Sequence, residues 1–350
     1  MLQKYLTYKI LFLLIITPVY LIGNNIDFTK NINTTKISIL TCDPGNEIYS
    51  LFGHSALRIK DTKNQIDIVV NWGLFEFSEN QFEFGYDFAK GRLNYFMGLQ
   101  SMSNFINEYA RSNRGVREQV LNLDEQEKLN LLSIISENYK PENRNYRYEF
   151  FYDNCSSRIR DLLIEVFKEK INFHKSPLAD KNTFRETIHQ YLKYDPWLEL
   201  GIDLVLGKKI DILVSNNNLM FLPEKVESIL DKSQVENESV KKNIILTKST
   251  IVNSNNQERT SENIIKYSWG IFFITLILLY LKQSHLIRIW SIMNLSVLGI
   301  IGILLIFMWW GTDHQATKMN FNLLWANPCL LYTSDAADDS LRVDLGGRRI

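Results

Sequence analysis

Two residues in this 350-residue chain have settings that suit covalent chemistry, Cys155 and His54. Cys155 follows Asp153-Asn154 and precedes Ser156-Ser157-Arg158, and from there Ile159, Leu162, Leu163, Val166 and Phe167 fall at i, i+3, i+4, i+7 and i+8. That spacing predicts an amphipathic helix that opens at the cysteine. Unpaired amides and the positive end of the dipole at a helix start favour thiolate over thiol, and Arg158 and Arg160 add positive charge. A small buried hydrophobe is the alternative role for such a cysteine.

A thiol nucleophile needs an imidazole within hydrogen-bond reach and a third group to orient the ring. Of the five histidines, His54 has the most constrained setting, in Phe52-Gly53-His54-Ser55 at the start of an alternating segment. Residues 54–60 place Ser55, Leu57 and Ile59 on one face and His54, Ala56 and Arg58 on the other. Asp61-Thr62-Lys63-Asn64 is turn-prone, and 65–72 is β-branched and apolar again, which predicts a hairpin. With those four residues as the loop, Arg58 faces Asp67 and His54 faces Asn71. Asn71 is therefore the expected orienter, and Asp67 the expected ion-pair partner of Arg58. Cys42 precedes the Asp43-Pro44-Gly45-Asn46 turn rather than a helix, so nothing in its surroundings lowers its pKa. A Cys42–Cys155 disulfide is the reading that would abolish the thiol chemistry.

These residues must be held by a folded domain. Residues 36–41 read as a strand, 103–110 and 124–138 as helices, 197–223 as a small mixed or loop region, and 233–263 as a polar linker of low periodicity. Three apolar runs punctuate the ends. Residues 1–23 have the pattern of a signal peptide or N-terminal anchor. Residues 264–281 and 289–310 are each about long enough to cross a bilayer at ~1.5 Å per residue, a buried helical hairpin being the alternative. The short basic turn between them, Lys282 to Arg288, favours the cytoplasmic side and puts 24–263 and 311–328 outside the cytoplasm. From residue 329 the composition changes abruptly, and 329–350 resembles the translation of a sequencing adapter, so it is expected to be non-native.

Lys+Arg and Asp+Glu are equal at 39 each. No global field and no basic aromatic tract points to nucleic acid. No His/Cys/Asp/Glu group has metal-ligand spacing along the chain.

The segments Leu40-Thr41-Cys42-Asp43-Pro44-Gly45, Phe52-Gly53-His54-Ser55-Ala56-Leu57-Arg58, Asn71-Trp72-Gly73 and Asp153-Asn154-Cys155-Ser156-Ser157-Arg158, with Pro196-Trp197, Asp313-His314 and Asn327-Pro328 further on, resemble the Lnb-type lipoprotein N-acyltransferases of Gram-negative envelopes. A histidine on a strand followed about a hundred residues later by a cysteine opening a helix is also similar to circularly permuted papain-like thiol enzymes of the NlpC and lecithin:retinol acyltransferase kind. The resemblance implies an α+β, permuted papain-like domain over 24–232 facing the periplasm, followed by transmembrane helices in the inner membrane. It implies Cys155 and His54 as the catalytic pair, to which the hairpin register adds Asn71; Arg58, Asn154, Arg158 and His314 are expected near substrate, interfacial capping and anchoring being the alternative for His314. The implied acyl donor is a phospholipid or a diacylglyceryl group, the acceptor is the N-terminal cysteine of a lipoprotein, and no cofactor is required. A papain-like amidase acting on envelope peptides is the competing function.

Overall fold

The computed structural model describes residues 32–75, 81–237, 240–254, 261, 263–282 and 284–332. The expected signal segment 1–23 and most of the expected non-native tail lie outside these residues. The chain divides into two compact units, the first made of residues 1–79, 93–181 and 214–257, the second of 80–92, 182–213 and 258–350.

The first unit is built on a seven-stranded antiparallel sheet. Its strands are β1 (Thr35–Cys42), β2 (His54–Asp61), β3 (Ile66–Phe75), β4 (Asn94–Ser101), β5 (Val116–Leu121), β6 (Asn145–Arg147) and β10 (Ile245–Val252). Their order across the sheet is β10-β5-β1-β2-β3-β4-β6. Strands β7 (Ile171–Asn172), β8 (Gln234–Asn237) and β9 (Val240–Asn243) form a small second sheet. Of the helices, α1 (Gln81–Lys90) belongs to the second unit, whereas α2 (Met102–Arg111), α3 (Glu125–Tyr139) and α4 (Cys155–Phe167) belong to the first.

Alternation along the strands sorts the two faces of the sheet. Leu40 and Cys42 of β1, Ala56 of β2, Val69 of β3 and Val116 of β5 make a core with Met102, Phe105 and Tyr109 of α2. Ser55, one residue out of phase, meets Ser156 of α4 at 2.9 Å between hydroxyl oxygens. Helix α4 therefore covers the opposite side, burying Ile159, Leu162, Leu163, Val166 and Phe167 as its spacing predicts.

The β2–β3 hairpin differs from the expected register. Asp61, expected in the loop, instead pairs with Ile66, and the loop is Thr62 to Gln65, so Arg58 faces Val69 and Ala56 faces Asn71. The Asp61 carboxylate accepts the amides of Lys63 and Asn64, and Gln65 takes a positive φ of 54°. This Asx turn lengthens β2 by one residue and moves the loop along by one. Every pairing slips by two residues, which keeps each side chain on its face.

Residues 233–263, expected to be a linker, supply β8, β9 and β10 instead. Strand β10 pairs antiparallel with β5 at the edge of the main sheet. Its Thr247, Lys248, Ser249 and Thr250 are exposed, as befits an edge strand with a solvated flank. That polar flank conceals the β-branched run from composition alone.

In the second unit, α5 (Phe184–Leu192) and α6 (Pro196–Val205) accompany two apolar helices, α9 (Ile265–Tyr280) and α10 (Ser284–Trp310). Helices α7 (Asn216–Leu219) and α8 (Pro223–Leu230) lie in the first unit. Residues 197–223, expected as a small mixed or loop region, hold helical segments, loops and an isolated bridge of Leu213 to Thr183. Helix α10, at 27 residues, is long and apolar enough to cross a membrane, whereas α9 has 16 and spans about 24 Å at ~1.5 Å per residue. The indole Nε1 of Trp290 donates to Thr275 Oγ1 at 3.0 Å, tying the two helices together.

Candidate active site

Helix α4 begins at Cys155 because Asn154 caps it. Asn154 Oδ1 accepts the amides of Ser156 (2.8 Å) and Ser157 (2.9 Å), and Ser157 Oγ accepts the amide of Asn154 in return. Asn154 Nδ2 donates to the carbonyls of Phe150 and Phe221. The Arg158 amide is taken by the Asn154 carbonyl. Among the described residues, this leaves the amide of Cys155 itself as the first-turn donor with no protein partner.

His54 opens β2 immediately after Gly53, whose φ is +81°. A Cβ at Gly53 would lie 2.6 Å from the Cys42 carbonyl oxygen, so only glycine fits this approach of β2 to β1. The ring of His54 then lies between Cys155 and Asn71. Its Nε2 is 3.1 Å from Asn71 Oδ1, and its other nitrogen, Nδ1, is left for the hydrogen bond to the Cys155 sulfur.

The tautomer follows from a chain of amides. The exposed Glu108 carboxylate accepts from Gln100 Nε2 (3.1 Å), which turns Gln100 Oε1 toward Asn71 Nδ2 (3.2 Å). Asn71 must then present its oxygen to His54, so Nε2 carries the proton. Nδ1 exchanges the remaining proton with sulfur.

Burial alone would push the Cys155 thiol up. The positive His54 ring, its hydrogen bond, the Ser55 amide and the Ser156 hydroxyl outweigh that, and the thiol pKa falls below its ordinary 9.0. Burial likewise works against a charged His54, but the Cys155 thiolate and the Asn71 oxygen carry its pKa above the ordinary 6.5. Each group therefore favours the charged form of the other, thiolate beside imidazolium.

Cys42 sits directly across from His54 in the β1–β2 register, yet its environment is opposite. Burial pushes its thiol up to about 12, although Tyr109 hydrogen-bonds to it. Cys42 and Cys155 are both free thiols, so the disulfide alternative does not describe this structure.

The residues expected near substrate have other partners. Arg58 binds Asp67 through Nε (2.7 Å) and Nη2 (2.6 Å) and Glu118 through Nη1 (3.0 Å), with its side chain mostly buried. Asn154 has its oxygen and nitrogen fully engaged in the cap. Arg158 clasps Asp153 bidentately and stacks 3.6 Å from the Tyr146 ring centroid. His314 belongs to the second unit, where its Nε2 is 3.2 Å from the Phe88 carbonyl oxygen. Polar residues inside motifs are as readily recruited by caps and ion pairs as by substrate, and sequence does not separate the two. The sequence does not single out Gln100 and Glu108, because an amide relay between a strand and a helix has no spacing signature.

In the second unit the fold gathers His189, Glu199 and Asp203. Nδ1 of His189 faces Glu199 (3.7 Å) and Nε2 faces Asp203 (3.1 Å), while Arg185 binds Asp203 at 2.8 Å. The cluster joins α5 to α6 through the Arg185–Asp203 ion pair and the His189–Asp203 hydrogen bond.

A mixed helix-and-sheet domain that buries a Cys155–His54 pair, on a chain whose α10 is long and apolar enough to cross a membrane, has the make-up of a membrane protein with a thiol-bearing domain. Residues 25–190 match the family model of the Lnb N-terminal periplasmic domain, and residues 264–336 match that of the Lnb transmembrane domain. The two matches together cover well over half of the chain, which belongs to the Lnb family. No curated protein and no solved structure matches it.

Proposed function

We propose that the protein is an inner-membrane thiol acyltransferase that N-acylates the N-terminal cysteine of lipoproteins through an acyl-enzyme on Cys155. The observation that carries this reading is the Cys155–His54–Asn71 arrangement on a chain with membrane-spanning helices. The order of strand-borne histidine and helix-opening cysteine supports a permuted papain-like scaffold for it.

The Cys155 thiolate attacks the carbonyl carbon of a glycerolipid ester, supplied by a phospholipid or a diacylglyceryl group. A C–S bond forms, and the carbonyl oxygen takes the negative charge. The free Cys155 amide is placed to donate to that oxyanion, the charge that develops in the transition state. As the intermediate collapses, the C–O bond breaks and His54 gives its Nδ1 proton to the departing glyceryl oxygen. The α-amine of a lipoprotein then attacks the thioester, and His54 accepts the amine's proton. Loss of the thiolate leaves an amide on the lipoprotein and restores the ion pair. Asn71 holds Nε2–H throughout, which keeps Nδ1 as the working nitrogen.

Full-length protein incubated with glycerolipid and a lipoprotein should carry a hydroxylamine-sensitive acyl group on Cys155. Mass spectrometry should then find the lipoprotein N-terminus acylated, and Cys155→Ala should remove both signals. Cleavage of envelope peptides without an acyl adduct would replace this reading with the amidase.

A further inference from the structure

Helix α1 presents aromatic residues to the outside. Phe82 is 91% exposed and Tyr86, at i+4 on the same face, is 56% exposed, while Glu83 and Asp87, also at i and i+4, form a neighbouring stripe. The Phe82–Tyr86 face of this ten-residue helix is thus apolar and turned outward beside an acidic stripe.

The position of α1 within the second unit says what can cover that side. Its C-terminal end is fastened to the end of the membrane-spanning α10. The Lys90 carbonyl accepts the amide of Asp313 (2.8 Å), the Asp313 carboxylate binds Arg92 (2.8 Å), and Lys90 Nζ lies 5.4 Å from the Phe307 ring centroid. Gly91 has φ +69°, and a Cβ there would come within 3.1 Å of the His314 ring, so the helix ends tight against the residues that follow α10. These contacts hold α1 at the level where α10 leaves the hydrocarbon.

Helix α6 repeats the pattern. Glu199 and Asp203 turn toward α5, whereas Trp197 and Leu200 are exposed. Trp197 lies 5.3 Å, ring centroid to centroid, from Tyr267 at the start of α9, and the carbonyls of Leu204 and Val205 accept from Asn320 just beyond α10. Both helices are thus tied to the same ends of the apolar helices. Trp and Tyr favour that head-group depth, and Phe and Leu fill the apolar face of helices that lie in it.

We propose that α1 and α6 form an interfacial collar, with Phe82, Tyr86, Trp197 and Leu200 seated in the head-group layer of the bilayer and the acidic stripes turned away from it. The occupant of this surface is lipid, by continuity with the spans to which both helices are fastened. The collar is a docking surface independent of the thiol chemistry.

The test uses the full chain with Cys155→Ser and Cys329→Ser, carrying either Phe82→Cys or Glu83→Cys, labelled with an environment-sensitive fluorophore. The protein is reconstituted into vesicles of phosphatidylethanolamine and phosphatidylglycerol. The label at 82 should be quenched by lipids with a nitroxide near the glycerol and shielded several-fold from aqueous iodide, while the label at 83 responds to iodide. Equal iodide quenching at both positions overturns the collar. So does shielding at 82 without lipid quenching, which would mean that protein covers the helix. Equal lipid quenching at 82 and 83 removes the orientation and overturns it too. None of these readouts depends on acyl transfer.

Discussion

Asn71 holds the His54 ring from a position diagonal to it: Oδ1 lies 3.1 Å from Nε2, although the strand register sets Asn71 opposite Ala56. Diagonal neighbours two residues apart share a face and remain within side-chain reach. Asn71→Ala removes one hydrogen bond of about 1 kcal/mol, corresponding to a loss of about fivefold in kcat/KM. Because Asn71 helps raise the His54 pKa, its loss moves the alkaline limb of the pH profile to lower pH. Glu108→Gln, at the exposed end of the relay, should lower the rate less and shift the same limb in the same direction, whereas a purely structural role would leave the profile unmoved.

The rate of acyl-enzyme formation should be bell-shaped in pH. The active pair needs Cys155 ionised and His54 protonated. The acid limb therefore lies below the ordinary thiol value of 9.0 and the alkaline limb above the ordinary imidazole value of 6.5. Both limbs belong to the coupled pair. Single-turnover rates across pH check this, and a single rise toward 9.0 would contradict the ion pair.

Alkylation should distinguish the two native thiols of the first unit. At neutral pH a haloacetamide should modify Cys155 in the folded protein and spare Cys42, whose thiol is held up to about 12 by burial. Peptide mapping reads the sites directly. Cys42→Ala should keep acyl transfer while lowering Tm, because it removes a buried sulfur from the α2-side core.

Gly53→Ala places a Cβ 2.6 Å from the Cys42 carbonyl at a backbone φ of +81°. Strain of this kind costs about 1–3 kcal/mol. The expected result is a lower Tm, with activity falling further than stability because His54 is the next residue.

Asn154→Ala should lower stability by about 1 kcal/mol from the lost cap, with more from the uncovered carbonyls of Phe150 and Phe221. Asn154→Asp keeps the oxygen that binds the Ser156 and Ser157 amides but brings a charge beside the thiolate. It should restore part of the stability and raise the acid limb, which separates capping from catalysis. Thermal melts and pH profiles of the two variants make the comparison.

Local pattern by itself determined several features of this protein. The i, i+3, i+4 spacing after Cys155 and the alternation of β2 are short-range signals, and they fixed which face each side chain takes and which cysteine opens a helix. The apolar run of α10 was equally legible, because a bilayer demands length and composition alone. Tertiary structure decided the rest. The Asx turn at Asp61 set the hairpin register, and parity alone let the His54–Asn71 and Arg58–Asp67 contacts survive the two-residue slip. Strand β10 is recognisable only once β5 offers it an edge, since half of its side chains face water. Helix α1 is hidden in its own sequence by Gly85 and a crowd of aromatics. The proton on Nε2 of His54 depends on Gln100 and Glu108, which are far apart in sequence from His54 and meet it only through the folded sheet.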